Sequence, residues 1–199
     1  VGRAHKHGET PPHPTYTRMA NTSKTKGDTG EREALNLLRT HIPHLLLPGN
    51  DRTRSAGIPH DRGDLHALPD ATIQVKHWSL SRLGIAITES ATTADTQARN
   101  DHKPYAFGMV SIAGARKDRV RWLITHTPTN AAHIGLTPVA HFKSVSKLRT
   151  WITDDTAPYG YLPYPRTERI ATLTTGENTI IVSPIEAWVN AYTATRQKG

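Results

Sequence analysis

The chain has 199 residues, no cysteine, 36% hydrophobic residues and a formal net charge of +8. These values exclude disulfides, cysteine-ligated zinc and thiol nucleophiles, and no run of about 18 apolar residues is present to span a bilayer. The length suits one ordinary core with an appendage, and the basic excess points to a polyanionic partner, because phosphate backbones attract cations through counterion release.

Residues 1–25 hold His5, His7, three prolines and several Thr and Ser with almost no apolar periodicity, which predicts a disordered basic arm. Met19 is read as the natural start, with residues 1–18 as upstream-encoded or appended sequence. Asp28-Thr29-Gly30-Glu31 fits a capping box, so a helix is expected to begin at Asp28. Ala34, Leu35, Leu37 and Leu38 form its apolar stripe, and Pro43 closes the pattern. Residues 44–47 suggest a short strand, followed by a loop that carries Arg52 and Arg54 among Pro48, Gly49, Gly57 and Pro59.

The stretch 63–76 reads as a hairpin. Leu65 and Ala67, then Ile73 and Val75, alternate with polar neighbours, and Pro69-Asp70 supplies a two-residue turn between half-buried strands. Residues 85–102 are weakly helical and polar, ending before Pro104. Residues 105–112 and 119–125 form a second strand pair about a turn at 114–118. Residues 127–199 are rich in Thr, Pro and Tyr; within them, 179–182 predict a strand. Ser183-Pro184-Ile185-Glu186 then predicts a capped helix start ahead of Trp188 and Val189.

The hairpin carries the chemistry. Gln74 and Lys76 are two apart on one strand and leave the sheet on the same face. Asp64 lies across the turn, opposite residue 75, or opposite 74 or 76 after a slip of one residue. Phosphodiester hydrolysis needs a cation to offset charge on the nonbridging oxygens, a water made nucleophilic, and a positive group near that water. Asp64, the Gln74 side-chain oxygen and the Val75 carbonyl suit magnesium, which prefers oxygen ligands and retains several waters. Lys76 is placed to hold and polarise the attacking water, and Glu31 to orient a water or help bind a second ion, besides any capping role.

Lys26-Gly27, then Glu31-Arg32-Glu33 at the head of a helix, Gly63-Asp64, and Gln74-Val75-Lys76 together resemble the Holliday junction resolvase branch of the PD-(D/E)XK nucleases. The likeness covers about half of the chain. It implies an α/β fold with a restriction-endonuclease-like core, an α-β-β-β-α-β mixed sheet flanked by helices, over residues 26–126. Residues 127–199 are then a C-terminal extension packing on that core. It further implies a magnesium-dependent endodeoxyribonuclease, with manganese able to substitute, acting as a homodimer on branched four-way DNA junctions. Glu31, Asp64, Gln74 and Lys76 take the metal and catalytic positions. The chain departs from the family where most members carry Glu, because Gln74 removes one negative charge from the site.

Lys26, Arg32, Arg52, Arg54 and Arg62 lie on segments leading into this site and are expected to track DNA phosphates. The corresponding location is the cytoplasm of a bacterial, phage-infected or archaeal cell, in association with the nucleoid and with no membrane contact. Two other readings remain: a type II restriction endonuclease with 127–199 as a specificity module, and a noncatalytic DNA-binding protein with a degenerate nuclease fold. Of the remaining candidates, His5, His7 and His13 fall on the arm, and His126, His133 and His141 are spaced too loosely to name a metal site. Trp78 is expected to be a core residue rather than a wedge between bases, and Gln97 a solvated helix residue.

Overall fold

The computed structural model describes residues 22–49, 51–52, 63–115, 120–153 and 164–197, and the following account concerns these. An eight-stranded mixed sheet is flanked by helices, which places the chain in the α/β class. In chain order, α1 (Thr22–His41) leads to β1 (Asp51–Arg52), β2 (Leu65–His66) and β3 (Ala71–Lys76). After these come α2 (Leu83–Asn100), β4 (Tyr105–Ser111), β5 (Trp122–His126) and α3 (Pro128–His133). β6 (Ala140–Phe142), α4 (Val145–Thr153), β7 (Ala171–Thr175), β8 (Asn178–Pro184) and α5 (Ile185–Arg196) complete the described chain. The strands lie in the order β1-β2-β3-β4-β5-β8-β7-β6. β1-β2-β3 is an antiparallel meander, and the α2 crossover sets β4 parallel to β3. The segment after residue 127 adds β8, β7 and β6 to the same sheet, with β8 antiparallel to β5.

Strand periodicity sorts the core into two layers. Tyr105, Phe107 and Met109 of β4 face one side with Trp122 and Ile124 of β5, where they meet Leu35 and Leu38 of α1 and Trp188 and Tyr192 of α5. Val110 and Leu123 face the other side with Ile180 and Val182, against Leu83 and Ile87 of α2 and Leu148 and Ile152 of α4. α2 approaches the sheet closely because it presents Ala86, Ser90, Ala91 and Ala94 to it. A Cβ on Gly108 of β4 would overlap Ser90 and Thr125, whose hydroxyls bond to each other at 2.7 Å. No described helix is long and apolar enough to cross a membrane.

Several local expectations are corrected. α1 begins at Thr22, not Asp28, so Asp28 and Glu31 lie within a helix and four of the residues assigned to the arm are helical. The rest of the arm, with Met19 and the three early histidines, lies outside the described residues. Residues 44–47 form no strand. Pro43 opens a short 3-10 turn (Pro43–Leu45), which a proline-fixed φ favours, and Leu45 and Leu46 pack on the core from it. The hairpin has a wider connection than a two-residue turn, since β2 ends at His66 and β3 starts at Ala71. Ala67 and Leu68 are fully buried in that connection, a placement no tight surface turn allows. β3 is buried on both faces rather than half-buried, because it pairs on both sides and has helices above and below. Ser183 stays in β8 and caps nothing; α5 starts after Pro184. Gln97 is buried at 2% exposure because its turn of α2 faces the sheet.

Candidate active-site cleft

The cleft forms at the end of β3. Leu65 pairs with Ile73, which sets residue 64 opposite residue 74, the register one residue away from the first expectation. The Asp64 amide donates to the Ile73 carbonyl at 2.8 Å and continues the ladder. Gly63 makes this entry feasible: its φ is 94°, and a Cβ there would sit 2.8 Å from Thr72 Cγ2 and 2.9 Å from the Ile73 carbonyl oxygen. Asp64 therefore turns onto the same sheet face as Gln74.

Asp64 Oδ2 accepts two hydrogen bonds, one from the Gln74 side-chain Nε2 and one from the Val75 amide at 2.7 Å. The first bond fixes the Gln74 amide with its nitrogen toward Asp64. Its other atom, Oε1, is buried and meets no hydrogen-bond donor among the described residues, in a residue only 5% exposed. An unsatisfied buried acceptor costs about 1–3 kcal/mol, so this atom requires a reason.

Lys76 follows on the same face and is half-buried. α1 brings the fourth residue. A Cβ on Gly30 would overlap the His77 side chain, so glycine is what lets α1 lie against the end of β3 and carry Glu31 to the cleft. Gly27, Glu31, Asp64, Gln74, Lys76, His77, Trp78, Ser79 and Arg82 line one cavity of about 460 Å³. All four expected catalytic positions are thus brought together. Of the expected DNA-tracking cations, Arg32 is exposed on α1 and does not line the cleft. Arg54 and Arg62 lie outside the described residues, as do the side chains of Lys26 and Arg52. Gln97 is buried elsewhere on α2 and does not reach the cavity.

Sequence reasoning missed His77, Ser79 and Arg82. His77 bonds through Nδ1 to Ser111 Oγ at 2.9 Å, a partner supplied by β4 and invisible in the local sequence. Trp78, expected in the core, is half-buried in the cavity wall and still packs on the second core cluster. The Arg82 guanidinium carbon lies 4.0 Å from its ring centroid and Lys76 Nζ lies 5.3 Å away. The local signal was the run Lys76-His77-Trp78, basic residues around an aromatic, but Arg82 reaches the ring only through the turn that leads into α2.

As donors, the cleft offers two carboxylates and one amide oxygen. Among the described residues no group of three or more His, Cys, Asp or Glu could hold a metal ion. A hard divalent cation needs fewer protein ligands, since magnesium usually keeps several waters and one or two carboxylates. The orphaned Gln74 Oε1 is the feature that fits such an ion best, because a cation would satisfy an acceptor that no donor reaches. Two of the histidines pack elsewhere. His126 and His133 both stack on Tyr105, with ring centroids 5.8 and 5.9 Å away. Burial lowers the His126 pKa to about 3.

No family model matches this chain, and no match was found among curated proteins or solved structures.

Proposed function

We propose that the chain is a metal-dependent DNA endonuclease with a restriction-endonuclease-like core, acting on branched four-way junctions in the manner of PD-(D/E)XK resolvases. The observation that carries this reading is the convergence of Glu31, Asp64, Gln74 and Lys76 on one cavity, with a buried Gln74 oxygen lacking a donor. The element order α1-β1-β2-β3-α2-β4, with a meander followed by a parallel crossover, supports the same family. The +8 charge supports a nucleic-acid substrate.

Asp64, Gln74 and Glu31 would hold magnesium, or manganese in its place, and the bound ion would supply positive charge near the phosphate and lower the pKa of a water. The remaining work belongs to the chain. Lys76 donates to the attacking water and keeps its lone pair directed at phosphorus. A bond forms from that oxygen to phosphorus as the water gives up a proton to solvent, and the bond to the leaving sugar oxygen breaks as that oxygen takes up a proton from solvent. The Val75 amide and Gln74 Nε2 fix Asp64 through its Oδ2, so its carboxylate is oriented before substrate arrives. Two active sites acting on the two strands of a junction call for a two-fold homodimer.

A second reading has its own observation. The Gln74 Nε2 bond gives Asp64 a partner without any metal, which favours a noncatalytic DNA-binding protein on a degenerate nuclease fold. A type II restriction-type activity on plain duplex is the third outcome. Incubation with magnesium on a four-way junction, on duplex and on single strands separates them. Resolvase action predicts paired nicks at the junction, abolished by chelation and by Asp64→Ala, with binding retained. Cutting of duplex at fixed sequences supports restriction-type activity, and binding with no cutting supports the noncatalytic reading. An Asp64→Ala protein that cuts at the wild-type rate removes the site assignment.

A further inference from the structure

We propose that Arg82, seated on the Trp78 ring, is a phosphodiester-binding residue that holds the strand beside the cleft, with Trp78 as its positioning residue. This inference rests on the nuclease reading of the same cleft and assigns a contact outside the metal and catalytic set.

Three features of the structure carry it. Arg82 and Lys76 share one aromatic ring, at 4.0 and 5.3 Å from its centroid, and all three residues line the cavity. Neither cation forms an ion pair or a side-chain hydrogen bond among the described residues, and the first turn of α2, which follows Arg82, holds no acidic residue. Arg82 is exposed whereas Trp78 is half-buried, so the ring anchors an otherwise free side chain at the cavity mouth.

Two like charges drawn to one ring repel each other, and the ring's π face attracts both without accepting their hydrogen bonds. A guanidinium held against an aromatic face keeps its N–H edge for an oxyanion, which it can grip with two parallel bonds. An anion with oxyanions repeated along a chain can satisfy both cations. A phosphodiester backbone provides this, one phosphate reaching Lys76 at the Asp64 end while its neighbour meets Arg82. Trp78 then acts through Arg82, by holding its side chain in the gripping position before the strand arrives.

The test is binding of a four-way junction by the full chain in the presence of chelator, where no strand is cut, followed by fluorescence anisotropy over a range of salt. Arg82→Gln should weaken binding severalfold and reduce the slope of log affinity against log salt by about 0.9, the value for one lost phosphate contact. Trp78→Leu should give a similar loss, Trp78→Phe should keep most of the affinity, and Trp78→Leu combined with Arg82→Gln should be no worse than Arg82→Gln alone. The Phe variant keeps the test open if the Leu variant does not fold. Wild-type affinity and slope in Arg82→Gln overturn the clamp while leaving the nuclease reading intact, provided wild type cuts with magnesium. Additive losses at Trp78 and Arg82 overturn the positioning role. A wild-type chain that does not bind DNA overturns both proposals, and one that binds through Arg82 but never cuts keeps the clamp and removes the nuclease.

Discussion

Asp64 and Asp70 stand six residues apart on the same hairpin, yet the fold treats them in opposite ways. Asp70 is tied to α5: it accepts from the Tyr192 hydroxyl at 2.6 Å and pairs with Arg196, whose guanidinium carbon also lies 3.4 Å from the Tyr192 ring centroid. Lys103 adds a bond to the neighbouring Pro69 carbonyl. Asp64 faces a cavity whose walls contain a buried acceptor and two cations that meet no donor or carboxylate among the described residues. One aspartate ties the hairpin to the last helix. The other is held by Gln74 and Val75 beside groups that the described residues leave unsatisfied, a pattern typical of binding sites.

The largest expected effect breaks this comparison in both directions. Asp64→Asn should lower cleavage by more than the roughly 10–100-fold that loss of a metal's outer-shell partner costs. Asp70→Asn should leave cleavage near wild type and cost about 1.5–3 kcal/mol in urea unfolding, as expected for lost hydrogen bonds to a charged group. Equal effects of the two substitutions on cleavage would erase the distinction.

The next effect concerns the closed region under acid. His126 is buried beside Tyr105, where its Nδ1 lies 3.2 Å from the hydroxyl that also accepts from Trp188 Nε1. Desolvation holds its folded pKa at about 3, against about 6.5 unfolded, so below pH 6.5 the unfolded chain takes up a proton that the folded one refuses. The stabilisation is complete above pH 6.5 and declines as pH falls toward 3, by on the order of 4–5 kcal/mol. Urea unfolding at several pH values should show that slope, and His126→Phe should flatten it.

A smaller effect sharpens the open region. Gly30→Ala should push α1 from His77, at about 1–3 kcal/mol of overpacking, and lower cleavage by moving Glu31. Gln74→Glu should reduce the magnesium concentration needed for half-maximal cleavage and Gln74→Ala should increase it, because magnesium binds carboxylate more strongly than a neutral amide oxygen. Coincident metal titrations of wild type and both variants would remove Gln74 from the site.

The cleft was legible where local rules suffice. The two-residue spacing of Gln74 and Lys76 fixes their shared face, and the hairpin brings Asp64 across to them with an error of one residue in register. What escaped depends on contacts distant in sequence. The register is set by Ala67 and Leu68 sinking into the core and by Asp70 being held by α5, neither of which hairpin rules contain. His77 takes its partner from β4, and Arg82 reaches Trp78 only because a short turn precedes α2. The strands after residue 127 read poorly because β6 and β7 are short or Thr-rich and gain their stability from pairing in the existing sheet.

The proposed divalent-cation site of Asp64, Gln74 and Glu31 is tested most directly by manganese binding without DNA, followed by electron paramagnetic resonance. Wild type should bind manganese in competition with magnesium, Asp64→Asn should lose that binding, and Asp70→Asn should retain it. Equal binding by wild type and Asp64→Asn, or none by either, would contradict the account.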